Sequence, residues 1–121
     1  MPETGPEIGA GVSATVAATH LEACAAELAV TGVGTVADLA EVLRRLTASQ
    51  RHLAAALTHL AGLVRDGDAE GLATAPAPDL EALTEVLHAA ATASGCAADA
   101  LAESAPVLRT LVRTDDENTH L

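Results

Sequence analysis

The 121-residue chain contains no phenylalanine, tyrosine or tryptophan, and only one methionine. Aromatic rings supply the largest buried areas in most protein interiors. Any core here is therefore built from alanine, leucine and valine, and its stability has to come from close approach of helix backbones. Lysine is missing as well. The six basic residues are all arginine (Arg44, Arg45, Arg51, Arg65, Arg109 and Arg113), against 17 acidic residues and a formal net charge of −11. An acidic surface repels phosphate backbones, which excludes nucleic acid as an expected partner. The Ala-rich, Lys-free composition points to a GC-rich bacterial genome. No run approaches the ~20 uninterrupted apolar residues of a membrane span. The opening MPETGPEIGAG has neither the basic start nor the apolar segment of a secretory leader. The expectation is a cytoplasmic protein with no membrane partner.

Cysteine is scarce, and Cys24 and Cys96 lack the close pairing that zinc sites use. They are expected as reduced thiols, buried or partly buried, with a disulfide between helices as the alternative. Cys24 lies in an apolar stripe with Leu21 and Leu28, and Cys96, beside Gly95, is expected to be the more accessible of the two.

What the chain has in abundance is helical pattern. Val36, Leu39, Leu43, Leu46, Leu53, Leu57, Leu60 and Val64 recur at alternating spacings of four and three residues, interrupted only by Gln50. A seven-residue repeat of this kind predicts one long amphipathic helix over 35–65, about 45 Å in length. Thr35 is placed to cap it, with Asp38 at the positive end of its dipole. A polar residue in the middle of an apolar seam is a register device in coiled coils, which makes Gln50 a candidate contact across an interface; the alternative puts it at the edge of the seam, facing water.

Around this helix the sequence predicts an all-α, antiparallel three-helix bundle. Residues 1–6 are a flexible lead-in. A first helix covers about 7–31 and is closed by Gly32 and Gly34 in a left-handed cap. Asp66-Gly67-Asp68 is a turn signature that opens a linker over 66–78. A third helix over 79–113, capped by Asp79, carries Leu80, Leu83, Leu87, Ala90, Ser94, Ala97, Leu101, Leu108 and Leu111 on heptad positions. Its middle, Ala90 to Ala97, is thin and leaves room for a neighbouring backbone. Pro106 predicts a kink or break near 102–105, with Ser104 capping a short terminal helix through Arg113. The acidic tail 114–121 is expected to be disordered. Residues 7–113 then form a single domain.

Candidate chemistry is sparse. Glu85 and His88 have the Glu-x-x-His spacing of di-metal bundles, but both fall on the polar side and no second such motif occurs. Asp38, Arg45, His52, His59 and Asp66 share one heptad position and form a mixed-charge stripe, which reads as a solvated face or a partner-binding surface. There is no Gly-rich phosphate loop and no Gly-x-Ser-x-Gly elbow. No catalytic residue, metal ligand or cofactor is assigned on this basis.

Within RLTASQRH, the Arg45-x6-His52 spacing resembles the Arg-x4-6-His signature of the HEPN superfamily of all-helical, commonly dimeric bundles, many of them ribonucleases. That resemblance implies His52 as general acid or base and Arg45 as the stabiliser of phosphate charge. The residues themselves favour a different reading: a small non-enzymatic module for protein–protein interaction or oligomerisation, acting as a homodimer through Leu39, Leu43, Leu46, Gln50, Leu53, Leu57 and Leu60. A ligand- or metal-binding bundle is the third class.

Overall fold

The computed structural model of the chain describes residues 13–119, so the lead-in over 1–6 and the last two positions lie outside the described residues. Among the described residues all regular structure is helical: α1 (Ala14–Val30), α2 (Val36–Asp66), α3 (Ala77–Ala102) and α4 (Ser104–Thr119). The chain divides into two units, Met1–Val33 and Gly34–Leu121.

The first unit holds α1. Its start is set by Ser13, whose Oγ accepts the Val16 amide at 3.1 Å. This satisfies one of the donors left over in a first turn. The expected start at residue 7 lies outside the described residues. Its end differs from the glycine cap predicted by the sequence. Thr31 closes the helix in an extended conformation and donates its hydroxyl to the Glu27 carbonyl at 2.6 Å, while Gly32 and Gly34 keep ordinary φ values. No residue of α1 is buried. Cys24 is thus an exposed free thiol rather than an enclosed one, as its stripe neighbours Leu21 and Leu28 are themselves exposed.

In the second unit, α2 packs against both α3 and α4, and α3 touches α4. Three helices of this unit, 36–66, 77–102 and 104–119, therefore pack together. Thr35 Oγ1 accepts the Asp38 amide at 3.0 Å, the cap expected from its position. The left-handed cap appears at the other end of α2. Gly67 has φ 68° and ψ 32°, and the Asp68 amide reaches back to the Leu63 carbonyl at 3.0 Å. This is the six-to-one bond that satisfies the last carbonyls of a helix. A Cβ at Gly67 meets only Ala73, at an ordinary 3.7 Å, so the cost of adding one is conformational rather than steric. Gly67→Ala is accordingly expected to destabilise the second unit by about 1 kcal/mol, seen as a lower melting temperature in circular dichroism.

Pro76 and Pro78 bring α3 in earlier than Asp79. Pro76 is the N-cap and Pro78 stands in the first turn, where a missing N–H costs nothing. Asp79 makes no capping bond but lies within that turn, favourably placed for the dipole. At the far end Pro106 has no N–H to give to the Ala102 carbonyl, so helical bonding cannot pass through this point. The chain resolves this in one residue. Glu103 ends α3 with its N–H on the Ala100 and Leu101 carbonyls, and the Ser104 hydroxyl donates back to the Leu101 carbonyl at 2.6 Å. Ser104 therefore serves the helix behind it instead of capping the one ahead. Helix α4 then runs to Thr119, six residues past Arg113, where the composition predicts disorder. Neither glycine nor proline interrupts TDDENT, and extending a formed helix is far easier than starting one.

The core is small: Ala61, Val64, Ala91, Ala98 and Leu108 are its buried apolar residues, joined by Ser94. Its register follows the heptads read along the sequence in part: Val64, Ser94 and Leu108 lie on them and are buried. The buried alanines Ala61, Ala91 and Ala98 each lie one position beyond a heptad residue, and Leu60, Leu83 and Leu111, which the heptads place inside, are exposed. Small residues are preferred at these points because they let helix backbones approach closely.

Candidate functional site

On the described surface of the second unit a groove of about 740 Å³ lies between α2 and α4, lined also by the end of α3. Its walls are carbon: Leu43 and Ala48 from α2, Leu101 from α3, and Ala105, Leu108 and Val112 from α4. Leu101 and Leu108 lie on either side of the break at Glu103, and both line the groove. Four of the six arginines in the chain edge the groove: Arg44 and Arg51 on α2, Arg109 and Arg113 on α4. In a chain of net charge −11 this reverses the local sign.

The four guanidinium groups are not equivalent. Arg44 and Arg45 both hold Glu41 Oε2, at 2.5 and 2.6 Å. The Arg44 hydrogen bond, then that of Arg45, keeps the Glu41 carboxyl below the usual carboxylate range, and Glu41 in turn raises Arg44. This favourable interaction is present above that range and fades as pH falls through the lowered value. All three groups are solvated, so the pair orients Arg44 more than it stabilises the fold. Arg51 Nη1 meets Asp99 Oδ1 at 3.1 Å, tying the middle of α2 to the second half of α3. Arg109 and Arg113 have no ion-pair partner among the described residues.

A smaller cleft of about 490 Å³ lies where Arg65 meets Ala77, Leu80, Glu81, Thr84 and Glu85. Here Arg65 Nε is 3.5 Å from Asp66 Oδ1 on its own helix. Among the described residues no three His, Cys, Asp or Glu side chains gather as a metal would require, and Glu85 and His88 are both exposed.

Of the residues proposed for an interface, Leu39, Leu43, Leu46, Gln50, Leu53 and Leu57 are half-buried within the single chain, while Leu60 is exposed. Leu43 is the member that lines the groove. Gln50 has no hydrogen-bond partner for its side chain among the described residues. Arg45 and His52 are exposed and neither lines a concavity; seven residues apart on one helix, they stand about 10 Å apart along its axis. His59 is exposed on the same stripe, and Cys96, like Cys24, is an exposed free thiol.

The arginine-edged groove itself does not stand out in the sequence. The signal is present, since Arg44 and Arg51 are seven apart and Arg109 and Arg113 four apart, both same-face spacings. Joining the two pairs requires knowing that α4 folds onto α2. Comparison of the chain with family models, with curated proteins and with solved structures finds no match.

Proposed function

We propose that this chain is a non-enzymatic protein–protein interaction module that self-associates as a dimer, its second unit an antiparallel helical bundle with the break at Glu103. The observation that carries this reading is the imbalance between a core of five buried apolar residues and a surface that leaves Leu60, Leu83, Val86, Val107 and Leu111 exposed. Large apolar side chains clustered at a surface mark contact sites for other macromolecules. Gln50, half-buried on the seam without a partner, fits a role in setting register between copies. The ion pair of Arg51 with Asp99, and the cleft that Arg65 shares with residues at the start of α3, support the antiparallel arrangement. Two exposed free thiols suit a reducing, cytoplasmic setting.

Light scattering with refractive-index detection tests the proposal, since the chain has no tryptophan or tyrosine absorbance. A dimer mass that falls on dilution is the expected result, and a monomer at all concentrations overturns it. Leu83→Asp, at an exposed position, is expected to leave helicity unchanged and to weaken the dimer about tenfold or more.

A second reading, a ligand-binding bundle, is favoured by the groove, whose volume lies in the range of small-molecule sites. Native mass spectrometry of the purified protein separates the two: a bound mass on the monomer supports the ligand.

A further inference from the structure

The groove has a counterpart on the same molecule. On α3, Ala82, Val86, Ala89 and Ala93 succeed one another at spacings of four, three and four, with Leu83 beside them, and every one is exposed. Leu83 is 43% and Val86 62% solvent-accessible, although the helix buries its opposite side through Ala91, Ser94 and Ala98. This apolar stripe is acidic along its edge. Glu81 and Glu85 lie four residues apart on one flank and Asp79 stands at its start, none with an ion-pair partner among the described residues. The one nearby cation, Arg65, is held to Asp66.

Groove and stripe match in three respects. Both are carbon surfaces of about the same length: Ala40 to Arg51 along α2 and Ala82 to Ala93 along α3 each advance eleven residues, about 17 Å. Their charges are opposite, and Arg109 and Arg113 on the one, like Glu81 and Glu85 on the other, have no ion-pair partner among the described residues. Their charge spacing also agrees, because Arg109 and Arg113 on α4, like Glu81 and Glu85 on α3, are four residues apart and repeat at about 6 Å. We infer that the occupant of the arginine-edged groove is the first half of α3 from a second copy of this chain, with Leu83 and Val86 against Leu43, Leu108 and Val112, and with Glu81 and Glu85 facing Arg109 and Arg113.

This rests on the self-association proposed above and specifies its surface. An amphipathic helix laid into an apolar groove is a recurring recognition mode, with anchors at helical spacing. Each copy carries both halves of the contact, so a two-fold arrangement uses groove and stripe twice and closes at two chains. Opposed charges at the edge govern register and partner choice more than raw affinity. Raising the salt concentration therefore weakens the dimer.

The test is a charge exchange between two double variants, Arg109→Glu with Arg113→Glu, and Glu81→Arg with Glu85→Arg. All four side chains are exposed, so helicity by circular dichroism is expected to match the wild type. Each variant alone is expected to self-associate at least about tenfold more weakly in analytical ultracentrifugation, because like charges now face each other. Mixed in equal amounts, the two variants are expected to form a dimer together, since both contacts in the mixed pair then bring opposite signs face to face. A wild-type dimer that neither variant weakens overturns this surface while leaving self-association intact. A wild-type monomer at all concentrations overturns both. Native mass spectrometry showing a long-chain anion on the monomer, lost in Arg109→Glu with Arg113→Glu, overturns the second copy as occupant and gives the groove to an amphiphile.

Discussion

Ala98→Leu is expected to destabilise the second unit by about 2 kcal/mol, lowering its melting temperature by about 10 °C. Ala98 has 0% exposure, as has Ala61, and no side chain larger than valine or leucine is present in the core to rearrange around a bigger neighbour. A leucine there adds three carbons where helices meet and leaves only two outlets, an off-rotamer side chain or a separation of backbones. Separation propagates along rigid helices, so Arg51 is expected to lose its bond to Asp99, one residue beyond Ala98. Thermal melts of Ala98→Leu beside Ala98→Ser check the mechanism. The serine variant is nearly isosteric and is expected to lose far less than the leucine, so equal losses from the two would mean that space at this position is not what matters.

Leu108→Asp has the second large effect, and it is local. Among the described residues, Leu108 is the one leucine in the core and the only buried residue of α4. A helix of sixteen residues is marginal in water by itself, so α4 depends on this anchor for its helicity. A carboxylate at the same place removes that anchor and turns away from the contact with α2, towards solvent and the arginines at the groove's edge. The expected result is loss of the helical signal of residues 104–119, roughly a sixth of the helix content among the described residues, while α2 and α3 keep theirs. Hydrogen exchange by mass spectrometry resolves the two regions: protection falls over 104–119 and persists over 36–66. Loss of protection throughout would show α4 to be required by the whole unit. Because Leu108 also lines the groove, the variant is expected to lose the proposed contact with a second copy.

The helix boundaries are legible in the sequence wherever one residue decides local bonding. Thr35 supplies a capping hydrogen bond, Gly67 takes the left-handed conformation that closes α2, and the Pro106 ring removes a donor from the helical ladder. Register is not legible to the same degree. The leucines of α2 and α3 trace a convincing heptad, yet with no aromatic rings to fix the depth of packing it is the alanines that choose which line lies inside. Alanine carries little pattern in a chain so rich in it, and so the heptad lands one position away from Ala91 and Ala98 and assigns Leu83 to the interior. The first helix shows the same limit: Leu21, Cys24 and Leu28 form an apolar stripe in sequence, and none of them is buried. The groove is hidden for a different reason. Its two arginine pairs are far apart in the chain, and only the fold of α4 onto α2 brings them to one site.

An interior of alanine, valine and one leucine also shapes how this protein responds to temperature. Unfolding wets little new hydrocarbon beyond what the native surface already shows, so the heat-capacity increment falls below the usual ~12–15 cal/mol/K per residue. A low increment flattens the stability curve. The folded state then loses little on cooling, melts over a broad interval on heating, and gains its sharpest dependence on conditions from concentration, through mass action on whatever covers its exposed leucines.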